Sequence, residues 1–540
     1  MATTTSRQRP RFAPAAPSWR RLTVLVSLLL LGWAALLPPS RQPQWWHYAI
    51  GAALILAFLG SWHGQHVSTA VRRRTPMSFY NRRQRTRRTQ PSQPRRDTPS
   101  TQAQTPAVRR SNALEAQIVL HLRPHPHALT TPGDTSDQLP WEFVTSWLNR
   151  YGVRADALTI TSVTRTPPPS GLRTDSAALL TGRTTQHRDT WLTYTLRAEN
   201  NVGALTARQT TMGNPAEGNP DADDGTPQRA ALADTMARRL VAELRERGWL
   251  ATLTDETDHL PKFVPAAAAA VRKETWTGTE HTDGFRAIYA VEPGRLVDVL
   301  EALPSRATRA TWVTVTVRAQ GRQPATIEAC VGTLTGAKPS RNPLPGLDGF
   351  HGLHRKVAQA LSITGLEHDD FDLPSTAVAW DALTQLRWPT SATGVPIGFN
   401  RNREPVYLGL ASPEPVRITV TGTVQFHVGI VARLALSGLP VAVYTADPRQ
   451  WHALANHGAP QQFSIRPKTP LPGSIVLTDG SVQAPPGAIT VTLRRPQSAQ
   501  APSTTIVITQ DGGRANLFHI TTAHGRQWLS TRLVAATPRR

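Results

Sequence analysis

Two apolar runs, residues 22–37 and 45–62, stand close together near the start of the chain, split by a polar turn at 38–44. Neither run holds an acid, a lysine or an arginine. Each is near the shortest helix that crosses a hydrocarbon core of ~30 Å, so the pattern predicts a hairpin of two transmembrane helices. Downstream the periodicity changes. Residues 117–122, 157–163 and 190–196 alternate as strands do, the last with Trp191, Thr193 and Thr195 on one face and Leu192, Tyr194 and Leu196 on the other. Trp141, Val144, Trp147 and Leu148 recur at helical spacing. Residues 229–249 carry the strongest helical stripe, Leu232, Met236, Leu240, Val241 and Leu244, and Gly248 stops it.

With a further strand at 250–254, the order is strand, helix, strand, strand, helix, strand. That is the split βαβ, ferredoxin-like plan. Residues 285–361 repeat it, and TWVTVTVRA at 311–319 echoes DTWLTYTLRA at 189–198. Such an echo points to an internal duplication. Residues 396–534 then alternate strands with helices, which predicts a mostly parallel sheet. The expected fold class is therefore a membrane-anchored α/β chain. Its parts are a disordered basic arm (1–21), two transmembrane helices (22–37 and 45–62), a basic Pro/Arg-rich tether (63–112), two ferredoxin-like modules (113–265 and 274–385) and a C-terminal α/β module (395–537).

A net charge of +23 first suggests nucleic acid, but its distribution argues otherwise. The first 110 residues hold 18 arginines and one acid, and the other 430 carry only +6. The basicity therefore flanks the apolar runs, where it sets orientation and attracts anionic lipid. Arg20 and Arg21 before the runs, and Arg72, Arg73 and Arg74 after them, outweigh Arg41 in the turn. Both termini are expected in the cytoplasm and the chain in the plasma membrane. Trp19, Trp45, Trp46 and Trp62 are the expected interface anchors. Gly32, Gly51 and Gly60 would let helices approach closely. A signal peptide is the rival reading of the first run, but the second run follows too soon to suit it. Residues 81–106, rich in Arg, Gln, Ser, Thr and Pro, read as a flexible tether.

Cys330 is the single cysteine, which excludes an internal disulfide and a multi-cysteine metal site. The turn Thr421-Gly422-Thr423 between a strand and a helix is a place for phosphate, with Asp447 further on near a ribose-contact position. Neither GxxxxGK[ST] nor GxGxxG accompanies it. His121, His125 and His127, the run Glu367-His368-Asp369-Asp370, and Asp221, Asp223 and Asp224 lack metal-ligand spacing and read as loop residues. No catalytic, cofactor-binding or metal residue is assigned, and no cofactor is expected. The alternative function is a membrane-anchored enzyme using the 421–423 turn for a nucleotide or nucleotide-sugar.

Several segments together resemble a known family. They are the paired apolar runs, the Arg-rich segment after them, DTWLTYTLRA at 189–198, RERGW at 245–249, ETWTGTEHTDGFRAIYAV at 274–291, and the run at 418–451. Their order is similar to that of EccE, a membrane subunit of the actinobacterial ESX, or type VII, secretion apparatus. The resemblance implies a structural, non-enzymatic subunit beside EccB, EccC and EccD, with EccC as the ATPase motor.

Overall fold

The computed structural model describes short pieces before residue 65, then residues 65–89, 109–111, 115–123, 129–131, 139, 141–167, 170–175, 187–212, 226–254, 260–265, 270–303, 308–320, 323–366, 371, 373–377, 394–410, 415–471, 473–496 and 505–531. Within them, two large sheets carry the fold.

The first sheet has 12 strands among the described residues. Its spine runs, in spatial order, Leu250–Leu253, Glu115–Arg123, His187–Arg197, Ala157–Arg165, Ala310–Gln320, Gln323–Thr335, Gly284–Val291, Gly278–His281 and Lys273–Thr275, every neighbour antiparallel. The two expected ferredoxin-like modules are thus not separate. Ala157–Arg165 lies between His187–Arg197 of its own half and Ala310–Gln320 of the other, and the two halves share one sheet. The physical reason lies in strand composition. The Thr- and Val-rich edges of both repeats offer unpaired backbone, and pairing them removes two exposed edges.

Both faces of this sheet are covered. On one face, Leu192, Tyr194, Leu196, Val313, Val315 and Val317 pack beneath helices Trp141–Ser146, Thr226–Glu246 and Leu296–Ala302. On the other, Val163, Trp191, Ile288, Trp312 and Cys330 pack against Val357, Ala358, Leu361 and Ile363. Helix His354–Ala360 therefore lies opposite Leu296–Ala302, where a ferredoxin-like module would place both on one side. The second face is also polar at its centre. Thr159 pairs with Thr316 at 3.0 Å and Thr161 with Thr314 at 3.1 Å, and Thr161 donates to the Ile363 carbonyl at 2.9 Å. Threonine suits a strand by its branched Cβ, and burial then obliges its hydroxyl to find a partner. The Leu361–Ser362 and Gly365–Leu366 hairpin supplies one.

The second sheet has 11 strands among the described residues and is mixed, not mostly parallel. Phe463–Ile465, Val441–Tyr444, Ile475–Thr478, Ile489–Arg494, Val416–Thr421 and Ile506–Gln510 run parallel in that spatial order. Leu517–Thr522, Gly525–Ser530, Val395–Phe399, Pro405–Leu408 and Leu129–Thr130 continue it antiparallel. Short turns such as 523–524 cannot make the long crossover that a parallel pair requires, so this half meanders. The first repeat reaches over to this sheet twice. It contributes the edge strand Leu129–Thr130, and it seats Leu172, from helix Gly171–Asp175, in the second core.

The N-terminal expectations also change. Among the described residues no helix is long and apolar enough to cross a membrane, so the two-helix hairpin is not part of the observed fold. Gly60–Trp62, expected to close the second span, is a strand paired with Phe12–Pro14 and Gln65–His66. Gly60 and Ser61 are weak helix formers, which agrees with that outcome. Most of residues 22–59 lies outside the described residues. Where a flexible tether was expected, Val67–Thr89 is a helix docked on the Lys273–Thr275 edge of the first sheet.

Candidate functional site

The strand order puts a candidate site at the carboxyl ends of the parallel strands. From Val416–Thr421 the chain leads through helix Val424–Ala435 towards Val441–Tyr444 on one side. From its neighbour Ile489–Arg494 it leads to Ile506–Gln510 on the other. Connections that leave adjacent strands in opposite directions along the sheet, here each passing the other's strand, mark a change of direction of the kind at which α/β proteins bind ligands. The Thr421-Gly422-Thr423 turn stands here.

Its donors are already satisfied from within. The Gln510 carboxamide accepts from the Thr423 N–H at 2.8 Å, and the Thr423 hydroxyl caps the helix by accepting from the Phe426 N–H at 3.3 Å. The Gly422 N–H donates to the Arg494 carbonyl, and His427 Nε2 lies 3.0 Å from that same oxygen. Gly422 is needed for closeness. A Cβ there would stand 2.6 Å from Phe426 Cδ1 and 2.8 Å from Gln510 Oε1. The place where a phosphate would sit is filled by Gln510.

Asp447 does not join this turn in any hydrogen bond among the described residues. It accepts from the Arg449 N–H at 3.1 Å and so opens helix Arg449–His457. Beside it lies a polar knot that the sequence reading missed. Asp479 accepts from Thr445 at 2.5 Å and from the Ser481 hydroxyl, and Arg466 donates to the Thr445 carbonyl at 2.7 Å. Burial raises the Asp479 pKa, but the bonds from Ser481 and Thr445 outweigh it and hold the carboxyl below its usual range. The available signal was the run Ile475–Leu477 ending in Thr478-Asp479-Gly480 at a strand terminus.

The other candidates do not assemble. His121 stacks on Trp191 with ring centroids 5.1 Å apart and lies 3.4 Å from Asp189. His125, His127, Asp221, Asp223, Asp224 and residues 367–370 lie outside the described residues. Among the described residues no group of three His, Cys, Asp or Glu side chains could hold a metal ion. Cys330 is buried, and burial first, with Glu328 second, pushes its thiol up to about 12.

Of the N-terminal residues expected to act at the membrane, Trp19, Trp46, Arg20, Arg21 and Gly51 lie outside the described residues. Trp45 is exposed, and Trp62 belongs to the short strand Gly60–Trp62. Arg72, Arg73 and Arg74 begin the docked helix. Arg72 and Arg74 face outwards, with Arg74 also 6.0 Å from the Trp276 ring centre. Arg73 turns inwards and donates to the His351 carbonyl at 3.3 Å. Gly352 makes this contact possible. Its φ of +74° is left-handed, and a Cβ there would stand 2.9 Å from both Arg73 Cβ and Trp276 Cζ3.

Fold and turn together define a two-sheet protein rich in antiparallel β structure, not the α/β class expected, with the donors of its phosphate-type turn taken by its own groups. No family model matches the chain. It is 28% identical over 387 residues to the ESX-3 secretion system protein EccE3 of Mycobacterium tuberculosis strain ATCC 25618 / H37Rv, covering 70% of this chain and 95% of that relative. It is 26% identical over 372 residues to the protein of the same name from Mycolicibacterium smegmatis, covering 67% and 92%. The resemblance carried by the sequence segments is thereby borne out: the chain is similar to EccE proteins over about 70% of its length.

Proposed function

We propose that the chain is a structural, non-catalytic subunit of an ESX (type VII) secretion apparatus at the plasma membrane, assembling with subunits of the EccB, EccC and EccD kind. The observation that carries this is the likeness to EccE3 along nearly the whole of that protein's length. The filled switch-point turn agrees with it, because Gln510 takes the donor that a phosphate would need.

The test is purification of the full chain at native expression in mild detergent. Co-elution with the other secretion subunits is the expected result. Recovery as a lone polypeptide would reject the reading. Binding of a nucleotide or nucleotide-sugar that stabilises the wild-type chain against heat would favour the enzyme alternative instead.

A further inference from the structure

We infer that the outer face of helix Val67–Thr89 is a docking surface for an anionic lipid surface, held at a fixed attitude to the first sheet. The helix has 23 residues and no acid. Its inner positions, Ala70, Arg73, Met77, Tyr80, Asn81 and Gln84, are at least partly buried and recur at helical spacing. They are committed to the fold. Asn81 is bonded to both backbone groups of Glu274, Arg73 to His351, and the Tyr80 ring carries the Arg355 guanidinium at 4.4 Å. The opposite stripe is Arg72, Phe79, Arg82 and Arg83, all exposed, at i, i+7, i+10 and i+11. Val71 is 58% and Phe79 68% exposed along this outer side.

Charge decides the occupant. A stripe of arginines without an intervening acid meets a surface of negative charge. The single aromatic among them suits the boundary between headgroups and acyl chains, where aliphatic arginine stems also shed water while their heads stay solvated. The stripe from Arg72 to Arg83 is about 17 Å long at 1.5 Å per residue. It is a line of exposed positions on one side of a helix. An extended, laterally fluid anionic plane matches it better than a shaped acidic protein. Because the inner face grips the sheet edge, lipid contact would also fix how the Lys273–Thr275 edge faces the membrane.

The test uses the full chain reconstituted in vesicles of phosphatidylcholine, with or without phosphatidylglycerol. Phe79→Cys carries a bimane. Cys330 stays unlabelled because its thiol is buried and pushed up to about 12. Quenching by lipids brominated in the acyl chain reports contact. Strong quenching in phosphatidylglycerol vesicles is expected, falling about tenfold in pure phosphatidylcholine, at high salt, or in R72Q/R82Q/R83Q. The Glu274 amide should stay protected from exchange in that variant, which shows that the helix is still docked. Equal quenching in both lipids, no quenching, or quenching that survives the triple substitution would overturn the inference. So would a label shielded only when nucleic acid or another purified subunit is added.

Discussion

Asn81 and Glu274 form a reciprocal pair. The Asn81 amide donates to the Glu274 carbonyl at 2.7 Å, and the Glu274 N–H donates to Asn81 Oδ1 at 2.8 Å. One carboxamide thus reproduces what a neighbouring strand would do, and it closes the outermost strand of the first sheet at that residue. Asn81→Leu removes both bonds. It should cost about 1–3 kcal/mol in local stability, since both backbone groups lose their partner. Hydrogen exchange at the Glu274 amide and through residues 67–89 should accelerate together. Asn81→Asp keeps the acceptor and loses the donor, and should fall between.

Acid should loosen the same region. His354 is fully buried, and its Nδ1 accepts from the Ile288 N–H at 3.2 Å. Burial first, then neighbouring His351, lowers its pKa to about 3. His351 is lowered too, by burial first, with Arg341 and Arg73 adding and the Trp276 carbonyl and Asp348 opposing. Both groups therefore favour the neutral form when folded. Their stability is complete above the unfolded value near 6.5 and is lost as pH falls from there towards 3. Each proton taken up only by the unfolded chain gives a slope of about 1.4 kcal/mol per pH unit. Denaturant melts between pH 7 and 4 should show it, and His354→Gln should flatten it.

The filled turn yields a third expectation. Gln510→Ala orphans the Thr423 N–H and should cost about 1–2 kcal/mol. Gly422→Ala must displace Phe426 or Gln510 and should cost about 1–3 kcal/mol. Neither variant should gain stabilisation from added nucleotide in a thermal melt, because nothing else in the turn supplies a phosphate-binding lysine.

The buried threonines make a fourth. Thr161→Val keeps the branched shape but removes the bonds to Thr314 and to the Ile363 carbonyl. A loss of about 1–2 kcal/mol in urea is expected, softened because the Thr193 hydroxyl also donates to that carbonyl at 3.4 Å. Thr159→Val, whose described partner is the Thr316 hydroxyl alone, should cost less.

Strands with strict alternation were legible, as was the helix stopped at Gly248. Pairing across the repeats was not, since nothing in Ala157–Arg165 states that its second neighbour comes from residues 310–320. Helix Val67–Thr89 was hidden by composition. Its arginines read as solvated tether, while Ala70, Met77 and Tyr80, the stripe that docks, are too few to stand out. The occupied turn was also illegible, because Gln510 lies 87 positions from Thr423 and meets it only through strand order. Asp479 was passed over because its run of apolar residues is short.

The pairing of Thr130 with Tyr407 has a consequence for synthesis. Ribosomes add about 5–20 residues per second. The Leu129–Thr130 strand therefore leaves the exit tunnel on the order of tens of seconds before Pro405–Leu408 exists to receive it. During that interval Leu172 also waits without its core. The nascent N-terminal half must travel with its clasp open until those later strands are made.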